Sequence, residues 1–148
     1  MSAKFGPGGN CDAFKLAGGR STLQAPGYVK KRGLDAYEYE AGNGLSASEE
    51  LLAAIGLKAK EHNIALSFHT PYFISLSSVE PEKRVKSVEY IRQSAYASKL
   101  LDANIMVVHC GSCAKISRET ALEYATETLT NAAQMLEDNG FKTVLAKG

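Results

Sequence analysis

The chain has almost no surplus of charge: 17 Lys and Arg stand against 16 Asp and Glu, for a formal net charge of +1. Composition therefore offers no general attraction to nucleic acid, which a basic domain or basic face would supply, and leaves only a local patch to do so. Cysteine is sparse and odd in number, Cys11, Cys110 and Cys113, which excludes a disulfide framework and points to free thiols. No apolar run approaches the roughly 18 residues of a membrane helix, and Met1-Ser2-Ala3-Lys4 leads into a Gly-rich turn rather than an apolar signal core. The expectation is a cytoplasmic protein with no membrane contact. Low-complexity tracts and dividing linkers are also missing, so the 148 residues read as a single domain, 1–148. "FGPGGN" lacks the Gly-Lys-Ser/Thr ending of a phosphate-binding loop, and no Gly-x-Ser-x-Gly nucleophile elbow occurs.

What is there is an alternation of helical and extended patterns. A modest helix is expected over Thr22–Lys31, closed by Gly33, and a second opening on a capping box of Ser46 and Glu49 and ending near His62-Asn63. A third starts with Pro81 in its first turn and carries Val85, Val88, Ile91 and Ala95 on its apolar face, reaching Leu101. The fourth follows an N-cap at Ser117, spaces Leu122, Ala125, Leu129, Ala132 and Leu136 along one face, and stops at Gly140. Around them "KFG", "DAYEYE", "IALSFH", "NIMVVH" and "FKTVLAKG" read as strands, the last three as buried on both faces. Strand and helix in strict alternation predict an α/β fold with a parallel sheet.

Two of these strands end in histidine, His69 and His109. Functional groups in parallel α/β folds gather at the carboxyl ends of strands, where loops and helix N-termini meet. Period-two alternation puts Ala65, Ser67 and His69 on one face and Ile64, Leu66 and Phe68 on the other; His109 shares its face with Ile105 and Val107. A hydrogen-bonded core role would account for either imidazole alone. Two in matching positions suit metal ligation, since catalytic zinc sites draw ligands from separate strands and leave a position open. His62 falls at a helix C-terminus, where the helix dipole explains it. The Cys110-x-x-Cys113 pair precedes the cap at Ser117, unlike a redox motif that opens a helix; a zinc clip with His109 would need Cys11 as well. Loop residues are the simpler reading of both thiols. Tyr72, in "HTPY", stands either at a site mouth or on an amphipathic rim.

With those residues in view, the chain resembles the endonuclease IV family of xylose-isomerase-like TIM barrels in "KFGPGGN", "GLDAYEYEAGNG", "HNIALSFHTPYFISLSS" with "PEKRVKSVEYI", and "NIMVVHCGS". The resemblance implies parallel (β/α) units of a (β/α)8 barrel, here its amino-terminal half, because a complete barrel takes about 250 residues. It implies a trinuclear zinc centre, with His69 and His109 as two of the ligands. It further implies hydrolysis of the phosphodiester 5′ to abasic sites in duplex DNA, with Gly8, Gly9, Asn10, Gly42, Asn43, Gly44 and Tyr72 on the DNA-facing rim. Ala41-Gly42-Asn43-Gly44 stands where many relatives read Cys-Gly-Arg-Gly, which removes a phosphate-facing cation, and Cys110 stands where relatives carry Pro. The remaining ligands of that family come from the second half of the barrel, and residues 141–148 carry no Asp or Glu. Two other readings stay open: a sugar isomerase or epimerase of the same barrel class, with a mixed carboxylate and histidine site, and a non-catalytic half-barrel that dimerises through its exposed edges.

Overall fold

The computed structural model describes residues 3–147; Met1, Ser2 and Gly148, the last residue of the expected final strand, lie outside the described residues. The elements run α1 (Asp12–Leu16), a 3₁₀ turn (Thr22–Gln24), α2 (Ala25–Lys31), β1 (Ala36–Glu40), α3 (Glu49–Glu61), β2 (Ala65–His69), α4 (Pro81–Leu101), β3 (Ile105–Val108), α5 (Arg118–Asp138) and β4 (Val144–Lys147). The four strands lie in the order β1-β2-β3-β4, all parallel, as strand and helix alternation requires.

Several local expectations need correction. "KFG" forms no strand: the segment from Phe5 to Gly9 runs beside β1, with Pro7 O accepting from Glu38 N and Gly9 N donating to Glu38 O, and it bridges the sheet only at Gly8. Pro7 has no N–H to extend the ladder, and the glycines around it add no side-chain packing. The helix expected over Thr22–Lys31 begins as the 3₁₀ turn, capped by a box in which Ser21 Oγ and Gln24 each take up a backbone N–H. The box expected at Ser46 and Glu49 does not form. Ser48 caps α3 instead, its Oγ accepting from Leu51 N at 3.3 Å, and Glu49 accepts from the Tyr96 hydroxyl at 3.1 Å. Ser48→Ala is expected to cost about 1 kcal/mol of stability, measured by denaturant unfolding, whereas Ser46→Ala leaves stability unchanged.

The helices α3, α4 and α5 cover one face of the sheet. Phe68, Met106 and Val108, at alternate strand positions, are buried among Leu52, Ile55, Ile91, Ala95, Leu101, Ala132 and Leu136. A second cluster packs Phe14, Ala25, Val29, Tyr37, Ala59 and Ile64 between α1, α2 and the β1 end of the sheet. Two expected core positions are on the outside: Val85 is 71% and Leu122 66% exposed. Their places on the buried faces are taken by Ser87, Ser94 and Ser98 in α4 and by Thr128 in α5. Hydroxyls can occupy these positions because some find acceptors on the spot: Thr128 Oγ1 reaches Tyr124 O and Leu76 O at 2.7 and 3.0 Å, and Ser87 Oγ reaches Lys83 O at 2.8 Å.

The opposite sheet face is open. Ile105 is 46% and Val144 62% exposed; β2 and β3 are fully buried only at Phe68, Met106 and Val108 on the helix side, and Val144, Leu145 and Ala146 of β4 are at most half-buried, contrary to the sequence expectation of burial on both faces.

Candidate metal centre at the strand ends

Parallel register determines which side chains share a row of the inner face. Glu38 pairs with Ser67 and then Ile105, and Glu40 pairs with His69 and then Val107. The next row up begins with His109, one residue past the end of β3. The carboxyl edge of the sheet thus presents two carboxylates from β1, one imidazole from β2 and one from the end of β3. The backbone is pinned beside them: His69 O accepts from Ala41 N and Val107 O from Thr70 N, each at 3.0 Å.

The two imidazoles converge as the sequence reading anticipates. His69 and His109 meet edge to face with ring centroids 4.7 Å apart, and both are half-buried. The residues that reading missed are Glu38 and Glu40. Glu38, Glu40 and His69 each offer a ligand atom, and these atoms lie within 4.8 Å of one another. The Ser67 hydroxyl donates to Glu38 Oε2 at 2.7 Å and orients it. The signal was available in "DAYEYE": acidic residues are poor strand formers, and two of them at i and i+2 place both carboxylates on the face that His69 occupies one strand over. Among the described residues, the Cys110 and Cys113 thiols enter no such three-donor group with His109. Cys113 is exposed and Cys110 half-buried, in the turn before the cap at Ser117.

The loops expected at the rim divide. Gly8 and Gly9 lie against the Glu40 carboxylate so closely that a Cβ on either would come within 2.8 Å of Oε1 or 2.5 Å of Oε2, and Gly9 has a φ of +65°. Only glycine fits that position without displacing the carboxylate. The Asn10 side chain is spent on the scaffold, its Nδ2 donating to Thr22 Oγ1 at 2.8 Å and its Oδ1 accepting from Tyr37 OH at 2.9 Å. Burial, with Glu40 nearby, pushes the Tyr37 hydroxyl pKa far above its ordinary value, so it stays a donor. Gly42 packs under the Tyr72 ring and Asn43 Oδ1 accepts from the Tyr72 hydroxyl, which ties the loop after β1 to the loop after β2. Tyr72 is 61% exposed and meets Phe73, which packs on Tyr90. Behind His109, Gly111 at φ +98° brings its backbone against Ser77, whose hydroxyl donates to Ser112 O at 2.8 Å. His62 stands at the C-terminus of α3 and lies over Gly27 of α2, outside the group formed by Glu38, Glu40 and His69.

A parallel sheet with helices on one face, an open inner face and polar groups at the strand carboxyl ends defines part of a (β/α) barrel. The chain belongs to the xylose isomerase-like TIM barrel family, whose model matches residues 26–145. It is 35% identical over 95 residues to the "Probable endonuclease 4" of Carboxydothermus hydrogenoformans, a match covering 64% of this chain and 32% of that protein. Among solved structures, D-psicose 3-epimerase from Clostridium cellulolyticum superposes with a TM-score of 0.71 at 18% identity, over 85% of this chain and 46% of that one. Endonuclease IV from Thermus thermophilus does so with a TM-score of 0.57 at 22% identity, over 76% and 43%. The matched region spans about a third of the curated relative and less than half of each structure. Among the described residues no helix is long and apolar enough to cross a membrane.

Proposed function

We propose that these residues are the amino-terminal part of a metal-dependent phosphodiesterase of the endonuclease IV type, which cleaves DNA 5′ to abasic sites. The observation that carries this reading is the convergence of His69 and His109 at the carboxyl ends of adjacent parallel strands, together with the named relative. Imidazole nitrogens and carboxylate oxygens without thiolate are a donor set that suits zinc. Zinc, when bound, would supply Lewis-acid stabilisation of charge on a phosphoryl oxygen and would acidify a water. In this reading His69 and His109 hold metal through their ring nitrogens, and further ligands of the family's three-zinc centre come from the rest of the barrel.

The chain's other contribution is the rim. In this reading Gly8, Gly42, Asn43 and Gly44 form the rim that a DNA backbone would meet, and the buried Gly9 and half-buried Asn10 support it from behind. Tyr72 presents an exposed aromatic face that can fill the gap left by a missing base, and an unpaired nucleotide leaves the stack at little cost. Fluorescence anisotropy tests this directly. With zinc present the chain is expected to bind an abasic duplex about tenfold more tightly than the intact duplex, a difference of ~1.4 kcal/mol, and Tyr72→Ala is expected to erase the preference. Equal affinity for both duplexes would set the DNA reading aside.

A second reading is favoured by one specific observation, the mixed carboxylate and histidine group of Glu38, Glu40 and His69. Such a site suits a sugar isomerase or epimerase, whose chemistry needs a cation to polarise a carbonyl and adjacent hydroxyl. Isotope exchange at a ketose carbon, with no preference for abasic DNA, would favour it. The open inner face, with Ile105 and Val144 exposed, is in either reading the surface on which further barrel strands or a second copy would close.

A further inference from the structure

We infer that Glu38 and Glu40 are metal ligands that hold a divalent cation jointly with His69, in a site that spans β1 and β2. The inference rests on the reading of the strand ends as a metal centre and adds two carboxylate ligands to it.

Four features support it. The three donors come within 4.8 Å of one another, close enough to surround one ion, whereas His109 is not part of that group. The carboxylates stand at positions i and i+2 of one strand, so backbone geometry alone brings two like charges onto one face. Among the described residues the ion pairs involve Asp12, Glu61, Glu80 and Glu89, and no Lys or Arg neutralises either Glu38 or Glu40. Finally, Glu38 is oriented by the Ser67 hydroxyl at 2.7 Å, and the exposed Glu40 carboxylate lies close against Gly8 and Gly9.

Two oxygen donors and one imidazole make a borderline-hard set. Carboxylates suit Mn²⁺ and Mg²⁺, imidazole suits Zn²⁺, and a mixed set selects a first-row divalent ion such as Mn²⁺ or Zn²⁺ over Ca²⁺. One face of such an ion would look onto the open inner side of the sheet, where a substrate oxygen could reach it.

The test is a titration of the chain with MnCl2, followed by the loss of the free Mn²⁺ electron paramagnetic resonance signal. The native chain is expected to bind one ion. Glu38→Gln with Glu40→Gln, which keeps side-chain size and removes both charges, is expected to weaken binding by more than about 100-fold. Ser67→Ala, which removes only the orienting hydroxyl, is expected to weaken it by about 10–100-fold. Circular dichroism and thermal unfolding of each variant separate loss of metal from loss of fold. Native affinity in the Glu38, Glu40 double variant would overturn the inference and leave the histidine-pair centre standing. Carboxylate-dependent Mn²⁺ binding without preference for abasic DNA would support the inference while removing the DNA reading. No binding by the folded native chain would overturn both.

Discussion

Replacing His69 by alanine is expected to lower divalent-metal affinity by more than about 100-fold, beyond the loss that follows removal of an orienting neighbour, while the chain stays folded. His69 is the residue common to both donor sets: its ring lies 4.7 Å from that of His109, and it shares the carboxylate group with Glu38 and Glu40. Its side chain faces the open side of the sheet and is half-buried, so truncation opens no cavity in the helix-covered core. The stability change should stay within about 1 kcal/mol. Elemental analysis of the purified variant against the native chain, with unfolding curves in chelator, measures both effects. A variant that retains stoichiometric metal would remove β2 from any account of the centre.

One residue earlier the expectation reverses. Phe68→Ala should cost about 3–5 kcal/mol, lowering the midpoint of thermal unfolding by roughly 10 °C or more. Phe68 is fully buried, lies at the centre of the main core and stacks on Tyr39 with centroids 5.6 Å apart and an interplanar angle of 15°. A stability of about 5–15 kcal/mol for a typical domain leaves little margin for such a loss. The control is Ile105→Ala, a comparable deletion on the inner face, where 46% exposure limits the cost to about 1 kcal/mol. Equal destabilisation by the two substitutions would mean that the inner face of this chain is covered rather than open.

The order of helices and strands was legible because each long segment carries its own period and its own stop signal: Pro81, Ser117 and Gly140 mark boundaries that α4 and α5 respect. The meeting of the strand-end histidines was legible because two imidazoles finish apolar runs at matching positions of neighbouring strands. Glu38 and Glu40 were harder to see. Their alternation with Tyr37 and Tyr39 reads as a half-solvated strand, and their grouping with His69 depends on register with β2, which no single strand encodes. The core faces of α4 and α5 went partly unread for another reason. Val85 and Leu122 fit a hydrophobic stripe, but Ser87 and Thr128 return their hydroxyls to the preceding turn and so pack where a polar residue was not expected. Ser48, which directly precedes the helical Glu49, caps α3 in place of Ser46, its hydroxyl accepting from Leu51 N.

Register has a further consequence for how such a chain can change over generations. Odd-numbered β1 positions and even-numbered β2 and β3 positions hold the core, while the interleaved ones, 38, 40, 67, 69, 105 and 107, face the open side. A deep mutational scan read out once for abundance and once for metal retention should therefore yield two interdigitated tolerance profiles along the same short strands. Chemistry at one set of positions can be exchanged by point mutation without disturbing the packing recorded in the other.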